Sequence, residues 1–176
     1  FSLIDRGEVV VTLAAVDLGA IARDVVGRLG PVIGDHQVLV EGTSVPMVQG
    51  EVNALERVIT NLLTNAIKFS PAGSTVRVAL TEARGGVAMS VSDEGAGVAP
   101  EERERIFTRF YRGEGEAVIQ TRGVGIGLSV VQELVVRMGG TIAVDEAPGG
   151  GARFTVWLPL RAAATMQQEG EDAPTS

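Results

Sequence analysis

The sequence predicts an α+β fold, a two-layer α/β sandwich in which a mixed, mostly antiparallel sheet carries its helices on one face. Three amphipathic helical segments and successive pairs of alternating strands predict it. Because these elements follow one another along only 176 residues, we expect one main domain around a single core.

The helices are predicted from apolar residues that recur at helical spacing. The first runs from Leu18 to about Gly30, with Asp17 as its N-cap. The second runs from Glu51 to Phe69. The third begins near Leu128 and ends at Gly139 and Gly140, because glycine commonly terminates a helix.

The strands are predicted from alternating apolar and polar residues between turn signals. The first two are expected as short strands around a turn, and the later four as two hairpins. The predicted strands are residues 37–42 and 45–50, residues 75–81 and 87–91, and residues 141–146 and 152–159.

Composition excludes several classes of function. The chain has no cysteine and one histidine, His36, so disulfides, thiolate metal sites, cysteine nucleophiles and histidine-rich metal sites are excluded. A net charge of −7 disfavours nucleic acid as a partner, although an anionic small ligand needs only a few local donors. No apolar run reaches the ~18 residues of a membrane span, so no direct membrane contact is expected from this segment.

The chain is expected to be a fragment of a longer protein, because it begins with Phe1 and not methionine. Residues 1–10 are expected to be the end of a preceding segment, and no signal peptide is recognisable there. Residues 11–160 form the predicted domain. Residues 161–176 are polar and are expected to be a disordered tail.

Three alternating glycines, Gly123, Gly125 and Gly127, come directly before the third helix. Bare backbone N–H groups at a helix start bind phosphate, which is one interpretation of this stretch. A simple tight turn is the other. Neither familiar phosphate motif fits, because Leu128 and Ser129 occupy the place of the last Rossmann glycine and no G-K-[ST] occurs.

A carboxylate ends the fourth predicted strand. Asp93 is followed by Gly95 and Gly97. A buried carboxylate accepts hydrogen bonds and could receive the exocyclic amine of adenine, while the glycines would let the ring lie against the backbone. The same pattern also occurs in plain turns.

The second helix carries Asn61, Asn65 and Lys68 on one face, which we expect to lie opposite its apolar stripe. Amide oxygens can help to hold a Mg²⁺ that bridges phosphates, and a lysine can meet a phosphate oxygen. A solvated polar face is the alternative.

Between the two glycine stretches, residues 98–122 lack a clear period beyond a short charged helix at 100–107, which predicts a mobile lid.

Taken in this order, the stretches resemble the Bergerat-type ATPase/kinase superfamily, and within it the ATP-binding catalytic domain of two-component sensor histidine kinases. The family's N box matches Asn61–Asn65, its G1 box Asp93–Gly97, its F box Ile106–Gly113 and its G2 box Gly123–Gly127. The resemblance covers about Val16–Leu160.

The resemblance implies ATP and Mg²⁺ as cofactors and a role for each matched residue. Asp93 would bind the adenine amine, and Asn61 and Asn65 would be the magnesium ligands. Phe107 and Phe110 would anchor the lid, although Phe107 could equally be a core residue. Candidate phosphate contacts are Lys68, Arg109, Arg112 and Arg122; solvated lid charge is the alternative for the arginines. The remaining implied ATP-binding residues are Phe69, Gly95, Gly97, Val98, Ile106, Tyr111, Gly123, Val124, Gly125, Ile126, Gly127 and Leu128.

The hydrolases of the superfamily carry a glutamate at the position of Asn61, where it activates water. Without that base hydrolysis loses a factor of about 10²–10⁴, which favours phosphoryl transfer. The resemblance therefore implies a histidine kinase whose acceptor histidine and general base lie outside this chain, in a dimerisation domain ending at residues 1–10, because His36 enters a predicted strand. It also implies a response regulator as partner and a location on the cytoplasmic side, which is compatible with a full-length protein anchored in the bacterial inner membrane. An anti-sigma-factor-type serine kinase and a non-catalytic ATP-sensing module are the alternatives.

Overall fold

The computed structural model describes residues 12–111 and 127–160. The predicted leading segment 1–10 and the tail 161–176 lie outside these residues. So do residues 112–126, which include the second part of the predicted lid and the glycines Gly123 and Gly125. In chain order the elements are β1 (Ala14–Val16), α1 (Leu18–Arg28), α2 (Gly30–Ile33), β2 (Gln37–Glu41), β3 (Val48–Gly50), α3 (Val52–Phe69), β4 (Thr75–Ala83), β5 (Gly86–Ser92), two 3₁₀ turns (Pro100–Glu102 and Arg105–Phe107), α4 (Gly127–Arg137), β6 (Thr141–Glu146) and β7 (Ala152–Pro159).

The predicted fold class is confirmed. Five strands form one sheet in the order β2-β4-β5-β7-β6, and α1, α3 and α4 pack together against one of its faces. All neighbouring strands are antiparallel except β2 and β4, which run parallel because the connection between them crosses over through α3.

The expectation of a strand pair around a turn at 37–50 was wrong. Both strands exist, but β2 pairs with β4 whereas β3 pairs with β1 in a separate two-stranded sheet. Alternation predicts a strand without identifying its partner, and the partner of β3 was a three-residue strand that no pattern marked. Gly42, which follows β2 with a φ of +69°, turns the chain away, and a side chain there would collide with the carbonyl oxygen of Leu80.

The core lies between the sheet and the helices and is aliphatic, as the composition predicts. Its large fully buried side chains come from α1, β3, α3, the inner face of the five-stranded sheet and the segment after α4. They are Leu18, Val25, Val48, Leu55, Val58, Ile59, Leu62, Leu63, Val76, Met89, Met138 and Leu158.

Side-chain caps begin α1 and α3. Asp17 accepts a hydrogen bond from the Ala20 N–H at 2.9 Å, which confirms it as the N-cap of α1. Glu51 caps α3 by accepting from Asn53 N–H at 3.1 Å and from Ala54 N–H at 2.8 Å. Each cap fixes the residue at which its helix begins.

Replacing Asp17 with alanine is expected to lower the free energy of unfolding by about 1 kcal/mol, because the first turn of α1 loses its side-chain acceptor. Urea unfolding at neutral pH measures this. Asp24→Ala is the matched control, since Asp24 lies exposed within the same helix. An equal loss in both variants would contradict a capping role.

Candidate functional site

Asp93 follows β5 directly and is 6% exposed, the only charged side chain that is buried within the described residues. Its N–H donates to the Ala152 carbonyl at 2.9 Å, so the backbone continues the pairing with β7 for one residue beyond the strand. The carboxylate is thereby held at the end of the central strand, where the sheet meets the helices.

Two backbone donors fix the orientation of this carboxylate. Oδ1 accepts from the Gly95 N–H at 2.8 Å and from the Ala152 N–H at 3.2 Å. No donor from the described part of the chain bonds Oδ2, so this oxygen is available to a ligand. Burial raises the pKa of the Asp93 carboxyl above its ordinary value, and the two N–H groups partly counteract that shift. A further donor at Oδ2 would therefore stabilise the charged form.

Glycines let the backbone close around Asp93. A side chain at Gly95 would collide with the Phe69 carbonyl oxygen and lie 3.0 Å from Asp93 Oδ1. Gly151 has a φ of +92°, and a side chain there would collide with the carbonyl oxygen of Asp93 itself. The end of α3, the turn after β5 and the turn before β7 thus meet at one carboxylate.

The second part of the site lies where α3 meets the start of α4. A methyl group on Gly127, the first residue of α4, would lie 4.0 Å from the side-chain Cγ of Asn61. Asn61 and Asn65 are both partly buried. They therefore border the apolar stripe of α3 and do not lie opposite it as expected, since a step of about 100° per residue brings Asn65 close to the buried Val58.

Lys68 and Phe69 end α3 near the same turn. The Lys68 side chain is exposed, and its Nζ lies 5.6 Å from the centre of the Phe69 ring. The Phe69 carbonyl lies close to Gly95, so the end of α3, the helix that carries the two asparagines, lies against the turn that follows Asp93. Leu128, by contrast, packs against the core from α4.

The predicted F box contains one core residue and one exposed aromatic. Phe107 is buried and meets the Phe154 ring edge-on at a centroid distance of 6.3 Å. Phe110 is 70% exposed and has a φ of +62°. Phe107 therefore belongs to the core, which was the alternative for it, and Phe110 has no such packing.

The structure describes the first part of the predicted lid, residues 98–111. Two 3₁₀ turns replace the expected short helix at 100–107. Val98 and Ile106 pack against the core, and the Tyr111 hydroxyl donates to Glu102 at 3.0 Å. Arg109 is exposed. The predicted site residues outside the described ranges are Arg112, Arg122, Gly123, Val124, Gly125 and Ile126.

Sequence reasoning missed three residues around Asp93. Ala152 bonds the Asp93 carboxylate through its backbone N–H, and the backbone of Gly151 lies against the Asp93 carbonyl. Glu94, the next residue in the chain, accepts from the Thr75 N–H at 2.8 Å. Ala152 carries no side-chain signal at all. The run Gly149–Gly151 signals a turn, but nothing local connects it with a carboxylate 58 residues earlier.

The donors fit a magnesium ion that is shared with a nucleotide and not held by protein alone. Across 12–111 and 127–160, no cluster of three histidine, aspartate or glutamate residues could hold a metal. Asn61 and Asn65 offer amide oxygens, and Mg²⁺ commonly takes one or two protein ligands together with waters and phosphates. His36 lies just before β2 with its Nδ1 3.1 Å from the Ile33 carbonyl, apart from this set.

Comparison with known proteins identifies relatives of this chain. Residues 50–162 match the family of histidine kinase-, DNA gyrase B-, and HSP90-like ATPases. The sensor histidine kinase TmoS of Ectopseudomonas mendocina is 38% identical over 149 residues, which are 83% of this chain and 15% of that protein. The chain therefore spans only a small part of this relative.

Two solved structures are similar over 86% of this chain. The mycobacterial sensor histidine kinase MprB has 30% sequence identity and a TM-score of 0.73, with all of that chain covered. Full-length ShkA, in complex with AMPPNP, has 32% identity and a TM-score of 0.70, with 32% of that chain covered. None of the helices in the described residues has the length and apolar character needed to cross a membrane. The chain belongs to the histidine kinase-, DNA gyrase B- and HSP90-like ATPase family, and it is similar to the ATP-binding catalytic domains of sensor histidine kinases.

Proposed function

We propose that this chain binds Mg-ATP and transfers the γ-phosphoryl group to a histidine on a dimerisation domain that lies outside it, as one step of two-component signalling. The observation that carries the proposal is Asp93: a buried carboxylate with Oδ1 bonded twice by backbone and Oδ2 available to a ligand. Kinship with sensor histidine kinases and the AMPPNP complex of ShkA support it.

Adenine recognition follows from the hydrogen-bonding capacity of Asp93. Oδ2 accepts from the exocyclic amine of adenine, and a base with an oxygen at that position offers no donor. The turn after β5 brings bare backbone at Gly95 and Gly97 beside the carboxylate, so a flat ring can approach closely.

The triphosphate end is assigned to α3 and the start of α4. Asn61 and Asn65 offer amide oxygens to the magnesium ion, and Lys68 offers a cationic donor to phosphate. Backbone N–H groups at the start of α4 favour an anion, and Gly127 leaves them uncovered beside Asn61. Magnesium, when bound with the nucleotide, neutralises charge that develops on the phosphates during transfer.

Transfer rather than hydrolysis is favoured by Asn61. An asparagine cannot take a proton from water, and the loss of a general base lowers hydrolysis about 10²–10⁴-fold. The base is then supplied with the acceptor histidine by the dimerisation domain, and a response regulator receives the phosphoryl group. We place this reaction on the cytoplasmic side of the membrane, where ATP is available.

The direct test mixes this chain with the phosphoacceptor hairpin of its own full-length protein and γ-labelled ATP. Acid-labile, base-stable label on the hairpin histidine supports the proposal. ATP binding without any transfer indicates an ATP-sensing module, and label on serine of a partner protein indicates a serine kinase. The chain incubated alone should not become labelled, because His36 lies beside β2 and not on a helix.

Asn65→Ala is expected to weaken the magnesium-dependent part of nucleotide affinity about tenfold and to slow phosphotransfer, while the fold remains intact. Titration of ATP in magnesium and in EDTA separates the metal-dependent part. Asn53→Ala is the matched control, because Asn53 is an exposed asparagine in the first turn of the same helix. Full phosphotransfer by the Asn65 variant would contradict the assignment.

A further inference from the structure

The carboxylate of Glu94 takes the place of a missing backbone acceptor in the sheet. The register pairs Arg77 with Ser92, so Thr75, two residues earlier, lies opposite Glu94. The Thr75 N–H donates to Glu94 Oε2 at 2.8 Å. In a regular antiparallel ladder this N–H would donate to the backbone carbonyl of Glu94 instead.

The backbone geometry of Asp93 explains why the backbone carbonyl of Glu94 would face β4. Asp93 directs its N–H toward β7, where it bonds the Ala152 carbonyl. In an antiparallel sheet the next residue directs its backbone groups to the opposite neighbour, which here is β4. Glu94 is therefore the residue whose carbonyl Thr75 would need if β5 continued.

Two consecutive carboxylates thus replace ladder carbonyls on opposite sides of the end of β5. Asp93 Oδ1 accepts from Ala152 on the β7 side, and Glu94 Oε2 accepts from Thr75 on the β4 side. The Ala152 and Thr75 N–H groups consequently do not need the carbonyls of Asp93 and Glu94, while the Asp93 N–H stays bonded to Ala152. The chain can bend after Asp93 toward the Phe69 carbonyl, which Gly95 approaches closely, while the two side chains keep the turn attached to the sheet.

We propose that Glu94 is a positioning residue for the nucleotide site: its bond to the Thr75 N–H holds the turn so that Asp93 Oδ2 faces the adenine amine. This inference rests on the proposed function. Glu94 acts through Asp93 and need not touch the nucleotide. Since Glu94 is exposed and Thr75 is partly buried, water competes for the bond, and its loss should loosen the turn without unfolding the domain.

The test compares three variants of the whole chain. Glu94→Ala removes the acceptor, and Glu94→Gln keeps a side-chain oxygen that can accept from Thr75. Glu41→Ala is the matched control, because Glu41 is an exposed glutamate that accepts from the Arg77 side chain at 3.0 Å and not from a backbone N–H of the sheet. Amide exchange of Thr75 is measured without nucleotide, and affinities for Mg-ATP and adenosine are measured by calorimetry.

Glu94→Ala is expected to speed Thr75 exchange about tenfold and to raise the dissociation constants for Mg-ATP and adenosine about threefold to tenfold. In phosphotransfer assays, the KM for ATP should rise while kcat is unchanged. Glu94→Gln should restore values to within about twofold of wild type, and Glu41→Ala should match wild type.

Unchanged Thr75 exchange in Glu94→Ala would overturn the proposal, as would unchanged nucleotide affinity or an equal defect in Glu94→Gln. Failure of the proposed function can be distinguished from failure of the Glu94 proposal, because the wild-type chain itself would then not bind Mg-ATP. That result would remove the role of Glu94 as well.

Discussion

Replacing Asp93 with asparagine is expected to weaken binding of Mg-ATP by roughly 1–3 kcal/mol, about fivefold to 150-fold, while the domain stays folded. The substitution keeps the shape of the side chain. It changes the chemistry of the one oxygen that we assign to the adenine amine, so the effect should fall on the base and not on the phosphates.

The existing hydrogen bonds determine which end of the new amide faces the nucleotide. The N–H groups of Gly95 and Ala152 both need an acceptor at the position of Oδ1, so the amide oxygen will occupy it. The amide nitrogen must then take the place of Oδ2. A donor would face the adenine amine, which is also a donor, whereas inosine presents an acceptor oxygen at that position. The ratio of ATP to ITP affinity should therefore fall.

The stability of this variant should change in the opposite direction. The folded-state pKa of Asp93 is raised above the ordinary 3.8, so its contribution to stability is greatest below pH 3.8 and is lost as pH rises through the folded-state value. At neutral pH the wild-type chain thus buries a charge at a cost. Asp93→Asn removes that charge and should unfold at the same or a higher denaturant concentration at pH 7, with the relative gain disappearing below about pH 4.

Calorimetry with ATP and ITP, together with urea unfolding at pH 7 and pH 4, measures these effects. Asp24→Asn is the control, because Asp24 is exposed on α1 and distant in sequence from the site. Unchanged ATP affinity in Asp93→Asn would exclude the assigned role. Lower stability at neutral pH would indicate that the carboxylate is needed for folding and not only for the ligand.

The sequence could predict the fold class because its signals are local. Asp17 and the apolar stripe of α3 lie within a turn or two of the helices they define, and the hairpins have adjacent strands. The same local signals marked Asp93 and Gly95. They could not pair β3 with β1, because these strands are separated by more than thirty residues and three elements.

The surroundings of the candidate site were less predictable for the same reason. Ala152 and Thr75 contribute only backbone N–H groups, whose partners depend on the register of the sheet. Register is fixed by packing along whole strands and not by any one residue. The approach of Asn61 to Gly127 depends likewise on how α4 packs beside α3, which the periodicity of α3 alone does not contain.

Gly151→Ala is expected to destabilise the domain by roughly 1–3 kcal/mol more than alanine at either of the two preceding glycines. Gly149, Gly150 and Gly151 all have φ near +90°, so alanine should cost each position about 1–3 kcal/mol of backbone strain. They differ in surroundings. A methyl group has open space at Gly149 and Gly150, but at Gly151 it would collide with the Asp93 carbonyl oxygen.

The comparison of these three variants separates strain from contact with the site. The collision at Gly151 must move the backbone of Asp93 or of β7, and Ala152, which bonds Oδ1, is the next residue. Mg-ATP affinity should therefore fall in Gly151→Ala and stay near wild type in Gly149→Ala and Gly150→Ala, at a temperature where all three are folded. Urea unfolding and calorimetry measure the two effects. Equal losses of stability and affinity at all three positions would mean that the turn conformation alone matters, and that the approach of Gly151 to Asp93 does not shape the site.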